Sequence, residues 1–134
     1  HPLNGKNLDD FGPRFPDMSE AYSTKLNDTL REISVEKNIQ LHEGVYVPVS
    51  GPNLETKAEY KMIRKFGGDA VGMSTVPEVI VARHMSLPCC AISVLTDECD
   101  PENLQAVAIE DILAAAAVAE PQLTLIYTEL IARL

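Results

Sequence analysis

The chain has 134 residues, 46% hydrophobic and 23% charged, the size and make-up of one packed domain rather than a disordered segment. A formal net charge of −9 argues against nucleic-acid binding and against an anionic membrane surface, and no apolar run reaches the roughly 18 residues of a membrane span. Cys89, Cys90 and Cys99 show no framework spacing, and a bridge between two adjacent cysteines would be strained, so reduced thiols and a cytoplasmic protein are expected.

Residues 1–17 carry Pro2, Gly5, Gly12, Pro13 and Pro16 and read as an ordered loop. The start on His1 and Pro2 rather than Met, inside that loop, leads us to expect an excised piece of a longer protein. Asp17 with Glu20 resembles a capping box. Met18, Tyr22, Leu26, Leu30 and Ile33 follow at helical spacing, which predicts an amphipathic helix to about Lys37. Gly44–Ser50 is β-branched and aromatic and reads as a strand, with Pro48 placing it at an edge or a bulge. Thr56 with Glu59 opens a helix to about Phe66, and Gly67-Gly68 closes it.

Asp69–Met73 reads as a short buried strand. Thr75 with Glu78 reads as a third capping box, Pro77 sits in the first turn, and the helix should run to about Met85. Cys89–Thr96 is a continuous apolar run, as in a strand inside a parallel sheet. A long helix should begin near Ile109, with Ile112, Leu113, Ala116, Leu123, Ile126, Tyr127 and Leu130 on its apolar face and a kink or break at Pro121. Strands alternating with helices point to a layered α/β fold with a largely parallel sheet.

Ligands of open α/β sheets bind beyond the C-terminal ends of the strands. Three such ends are Ser50–Thr56, Gly72–Thr75 and Leu95–Asp97. Taken one at a time, their polar residues read first as helix caps and turn residues. His42 and His84 have no neighbours at metal-ligand spacing, and no cysteine shows a zinc pattern or an evident histidine partner.

Taken together, the segments carry a resemblance. Gly72 to His84 (GMSTVPEVIVARH) resembles the signature of trimeric-type purine nucleoside phosphorylases. Gly51 to Thr56 (GPNLET), followed by Ala58-Glu59, resembles a second block of that family. Asn4-Gly5 through Phe11-Gly12, then Arg14-Phe15-Pro16 and Met18-Ser19, resembles a third. The blocks stand in the family's order and span essentially the whole chain. The resemblance implies an α/β/α phosphorylase-like fold, with residues 1–134 as the C-terminal half of a single domain. It implies phosphorolysis of purine nucleosides with inorganic phosphate as co-substrate, no metal or organic cofactor, and a homotrimer in the full-length protein.

The family's site maps onto matching positions. Glu55 matches the acid that accepts from N1–H and the 2-amino group of a 6-oxopurine, a task for an acceptor-only carboxylate. Met73 matches the methionine under the ribose. Ser74 matches a serine that helps bind phosphate near a helix N-terminus. Leu54 stands where many relatives place Phe against the base, Tyr46 matches a tyrosine near the pocket, and Thr96 precedes the residue at purine N7. That residue, Asp97, is a departure: enzymes selective for 6-oxopurines carry Asn here, and Asp is usual in relatives that accept 6-aminopurines, methylthioadenosine phosphorylases included. Asp97 would have to act protonated, kept so by burial, to help the base leave. Ile109 matches the place of a histidine at the ribose 5′ end, and an apolar residue suits a methylthio group. Glu55 and the MSTVPE block favour inosine and guanosine; Asp97 and Ile109 favour methylthioadenosine. The family's phosphate loop, with an Arg and a His that hold phosphate, belongs to the N-terminal half, so residues 1–134 alone are expected to be inactive.

Overall fold

The computed structural model describes residues 1–134. Its elements in chain order are α1 (Thr24–Glu36), β1 (Tyr46–Pro48), α2 (Lys57–Lys65), β2 (Ala70–Gly72), α3 (Val76–His84) and α4 (Ile109–Ile131). β1 and β2 pair in parallel, Tyr46 opposite Ala70 and Pro48 opposite Gly72, with α2 as the crossover. The chain is therefore α/β with a parallel sheet, and that sheet has two strands.

The core is the seam between α1 and α4. Leu30 and Ile33 on α1 meet Ile126 and Leu130 on α4, with Ile39 beside them. Ile33 and Ile126 are the two most completely enclosed large side chains. Cys90, Ile92 and Tyr127 pack at the edge of this cluster, and the Tyr127 hydroxyl accepts from the Ile92 N–H at 3.0 Å.

Several elements differ from the sequence reading, each for a local reason. α1 starts at Thr24, not near Met18, because Ser23 is its cap and accepts from the Leu26 N–H. Asp17 instead closes a tight turn on Ser19, and Glu20 accepts from the Thr24 N–H. Residues 89–96 form no ladder within the chain. Yet side-chain exposure alternates from Cys90 to Thr96, the pattern of an extended segment with one face on the α1–α4 core. α4 runs unbroken through Pro121, and Leu113 faces outward rather than joining its apolar face.

The α2 boundaries come close to the expected ones. Thr56 caps the helix reciprocally with Glu59, which satisfies two backbone donors. Thr75 does not repeat this. It precedes α3 at φ 74°, makes no side-chain cap bond, and the expected box with Glu78 is absent. A backbone in the left-handed region points the Thr75 side chain away from the helix's free N–H groups.

Because Ile33 is fully enclosed at the α1–α4 seam, Ile33→Ala should lower unfolding free energy by about 3 kcal/mol. Urea denaturation reads this directly. A loss below about 1 kcal/mol would place the stabilising core elsewhere.

Candidate functional site

Parallel pairing sends β1 and β2 out of the sheet on the same side, so residues 49–56 and 73–75 emerge together. Two close approaches join them. The Tyr46 ring crosses Gly72, where a Cβ would lie 2.2 Å from its hydroxyl oxygen, and that oxygen accepts from the Ser74 N–H at 3.1 Å. Met73 lies over Gly51, where a Cβ would meet the sulfur at 1.9 Å, and Gly51 sits at φ +57° before a cis peptide to Pro52. Only glycine meets both demands at position 51. Tyr46, Met73 and Ser74 thus form one cluster at the strand ends, at the start of α3, with the Met73 side chain half exposed.

A second cluster lies beside it. Leu54, Glu55, Tyr60, Asp97 and Cys99 line one cavity of about 240 Å³, walled further by Leu104, Val107 and Asp111. The structure brings Leu54, Glu55 and Asp97 together, although 42 residues separate Glu55 from Asp97 in sequence. Glu55 is half-buried, and its Oε2 accepts from the Tyr60 hydroxyl at 2.8 Å. Asp97 accepts from the Cys99 thiol at 3.1 Å and from the Thr96 hydroxyl at 3.1 Å. Burial, with the neighbouring Cys99 and Glu55, pushes the Tyr60 phenol far above its usual range, so it stays a donor. Burial also raises the Cys99 thiol.

Two placements differ from expectation. Asp97 is exposed, so residues 1–134 do not themselves supply the burial that a protonated Asp97 calls for. Ile109, the first residue of α4, is 70% exposed and does not line the cavity; Asp111, two residues further, does. The sequence reading also missed Tyr60 and Cys99. The signal for Tyr60 was present: the Thr56 capping box fixes the first turn of α2, and Tyr60 stands one turn into the helix, within reach of Glu55. Cys99 carried no such signal, because its place depends on the irregular segment after Thr96.

That segment is tied down electrostatically. Glu102 bridges to Lys61 at 2.5 Å and to Lys57 at 3.4 Å, both on α2, which draws residues 98–107 over the cavity. No group of three or more His, Cys, Asp or Glu side chains is placed to hold a metal ion, and the three cysteines are unpaired. No helix is long and apolar enough to cross a membrane.

Comparison with known families matches residues 2–132 to the phosphorylase superfamily. The purine nucleoside phosphorylase of Saccharomyces cerevisiae is 57% identical over 101 residues, which cover 74% of this chain and 32% of that protein. The purine nucleoside phosphorylase of Rattus norvegicus is 40% identical over 129 residues, 92% of this chain and 44% of that one. Among solved structures, isoform 2 of the Schistosoma mansoni enzyme, in complex with cytosine and ribose-1-phosphate, superposes with a TM-score of 0.94 at 42% identity. It covers 98% of this chain and 48% of its own. A Schistosoma purine nucleoside phosphorylase in complex with guanosine gives a TM-score of 0.93 at 36% identity, with 98% and 49% covered. The chain thus spans between a third and a half of the length of these relatives.

The Glu102 bridges yield a testable consequence. Lys61 first, then Lys57, hold the Glu102 carboxyl below its ordinary value of 4.5. A depressed carboxylate contributes above its unfolded pKa, and the contribution is lost as pH falls through the folded value. At neutral pH, Glu102→Gln should speed amide hydrogen exchange across residues 98–107 by roughly two- to fivefold. After correction for intrinsic rates, the difference should close as pH falls through the depressed Glu102 value, below the ordinary 4.5. Equal exchange in both proteins at pH 7 would show that the bridges do not restrain the segment.

Proposed function

Since the chain belongs to the phosphorylase superfamily, we propose that it is the C-terminal half, carrying the base and ribose sites, of a purine nucleoside phosphorylase. The reaction is phosphorolysis of inosine- and guanosine-type nucleosides to free base and ribose 1-phosphate. The observation that carries this reading is the meeting of Glu55, Leu54 and Asp97 in one cavity beside the Tyr46–Met73–Ser74 cluster. The chain's likeness to purine nucleoside phosphorylases, and the guanosine and ribose-1-phosphate complexes of the structural neighbours, support it.

The chemistry follows from the placement. Glu55 accepts from the N1–H edge of a 6-oxopurine, and Leu54 packs on the ring. Asp97 stands at the N7 side of the departing base, onto which electron density flows. Met73 supports the ribose. Inorganic phosphate, held near Ser74 and by groups of the N-terminal half, attacks the anomeric carbon of an oxocarbenium-like sugar. Catalysis is positioning and charge complementarity, with no metal or organic cofactor. We assign the full-length protein as a cytoplasmic homotrimer. Unpaired cysteines are in keeping with a reducing compartment.

A second reading, methylthioadenosine phosphorolysis, is favoured by Asp97 standing where 6-oxopurine enzymes carry Asn. Ile109 adds little to it, since that side chain lies outside the cavity. A third is a binding domain that keeps the fold without catalysis.

Phosphate-dependent base release from inosine, guanosine, adenosine and methylthioadenosine by the full-length protein separates the three. Rapid release from inosine and guanosine is expected, and Glu55→Gln should lower kcat/KM for inosine about 100-fold, as loss of a charged hydrogen-bond acceptor does. Preference for methylthioadenosine would establish the second reading, and no release from any substrate the third.

A further inference from the structure

Tyr60 belongs to no motif that links the chain to its family, yet it is the side chain that touches Glu55. Its ring is buried under the cavity, and its hydroxyl donates to Glu55 Oε2 at 2.8 Å across the start of α2. A phenol has one proton, and here it is committed to Glu55. The Cys99 thiol lies next to the same hydroxyl, but its own proton goes to Asp97 at 3.1 Å. The protein thus supplies Glu55 with the Tyr60 hydroxyl, and Asp97 with the Cys99 thiol and the Thr96 hydroxyl.

We propose that Tyr60 is the positioning residue for Glu55, fixing one carboxylate oxygen so that the other faces the N1–H edge of a 6-oxopurine. The inference rests on the base-binding role given to Glu55 under Proposed function. Glu55 sits in the loop between the cis Gly51-Pro52 peptide and the Thr56 cap, and its Oε1 makes no hydrogen bond within the chain. A loop carboxylate with two free oxygens samples several rotamers, and each productive encounter with the base would then carry an ordering cost. The buried Tyr60 ring, anchored on α2 with Ile63 one turn away, removes that freedom before substrate arrives.

Tyr60 acts only through Glu55, which separates positioning from a general structural role. A 6-oxopurine presents N1–H to Glu55, whereas adenosine has no proton at N1. In the full-length protein, Tyr60→Phe should raise KM for inosine about tenfold, with kcat changed less than about threefold. Its kcat/KM for adenosine should stay within about twofold, and its melting temperature should show that it folds. Placed on a Glu55→Gln background, Tyr60→Phe should change inosine kinetics less than about twofold. Equal losses with both nucleosides, or the same loss with and without Glu55, would make Tyr60 merely structural and overturn the proposal. Unchanged inosine kinetics would overturn it as well. If the unsubstituted protein releases no base, the functional reading itself fails, and that failure is visible before any variant is compared.

Discussion

Parallel pairing of Tyr46–Pro48 with Ala70–Gly72 is the constraint from which the site follows. Antiparallel strands would deliver residues 49–56 and 73–75 to opposite ends of the sheet. Parallel strands deliver them to the same end, and α2 is the crossover that makes this possible. Once both loops emerge together, two glycines decide how near they come. Gly72 lets the Tyr46 ring cross to the Ser74 N–H, and Gly51 lets the Met73 thioether lie on the opposite loop. Gly51 takes its left-handed φ at no steric cost, whereas Thr75 at φ 74° is a strained position at the start of α3.

The two clusters at this end differ in charge, and the difference suits two kinds of ligand. The cavity is lined by Glu55, Asp97, Glu98 and Asp111, with no Lys or Arg. Such a pocket repels an anion and favours a neutral heterocycle rich in N–H groups, or a sugar that develops positive charge. The α3 end, at Ser74, is the opposite: a helix N-terminus favours an anion. An anion and an N–H-rich ring would thus be drawn to different parts of the same strand end. Tyr60 and Cys99 fit the same logic, since each spends its proton on a carboxylate that would otherwise face a like-charged neighbour.

Much of this was legible from residue patterns and some was not. The α2 boundaries were readable because Thr56 and Glu59 satisfy each other's backbone, a local device that needs no tertiary help. Thr75 and Glu78 show the same spacing without the same result, because Thr75 stands at φ 74°, outside the extended backbone that a side-chain cap uses. Asp17 and Glu20 failed as a start signal for a similar reason: Ser23 competes for the cap, and its N–H is held by the Cys89 carbonyl, a contact 66 residues away in sequence. Glu55 and Asp97 were found as candidates through motif resemblance. Their meeting in one cavity, and the donors that serve them, depend on packing of residues 97–107 that no periodicity encodes.

The segment before Asp97 is extended but forms no ladder within residues 1–134. From Cys90 to Thr96 its side chains alternate between packed and exposed, and its inner face rests on the α1–α4 core. Its backbone finds little to bond within residues 1–134: Ile92 N–H donates to the Tyr127 hydroxyl, and Cys89 carbonyl accepts from Ser23 at the near end. An apolar extended segment with an open ladder seeks strands on its flanks, because buried peptide groups left unpaired are costly. Large apolar side chains stay uncovered on α4 as well, among them Leu113, Val118 and Ile131, and only 10 of 134 residues are buried. Asp97 follows this segment directly and is itself exposed. Within residues 1–134 the surroundings of Asp97 are therefore the cavity lining, with the Thr96 hydroxyl and the Cys99 thiol as its donors.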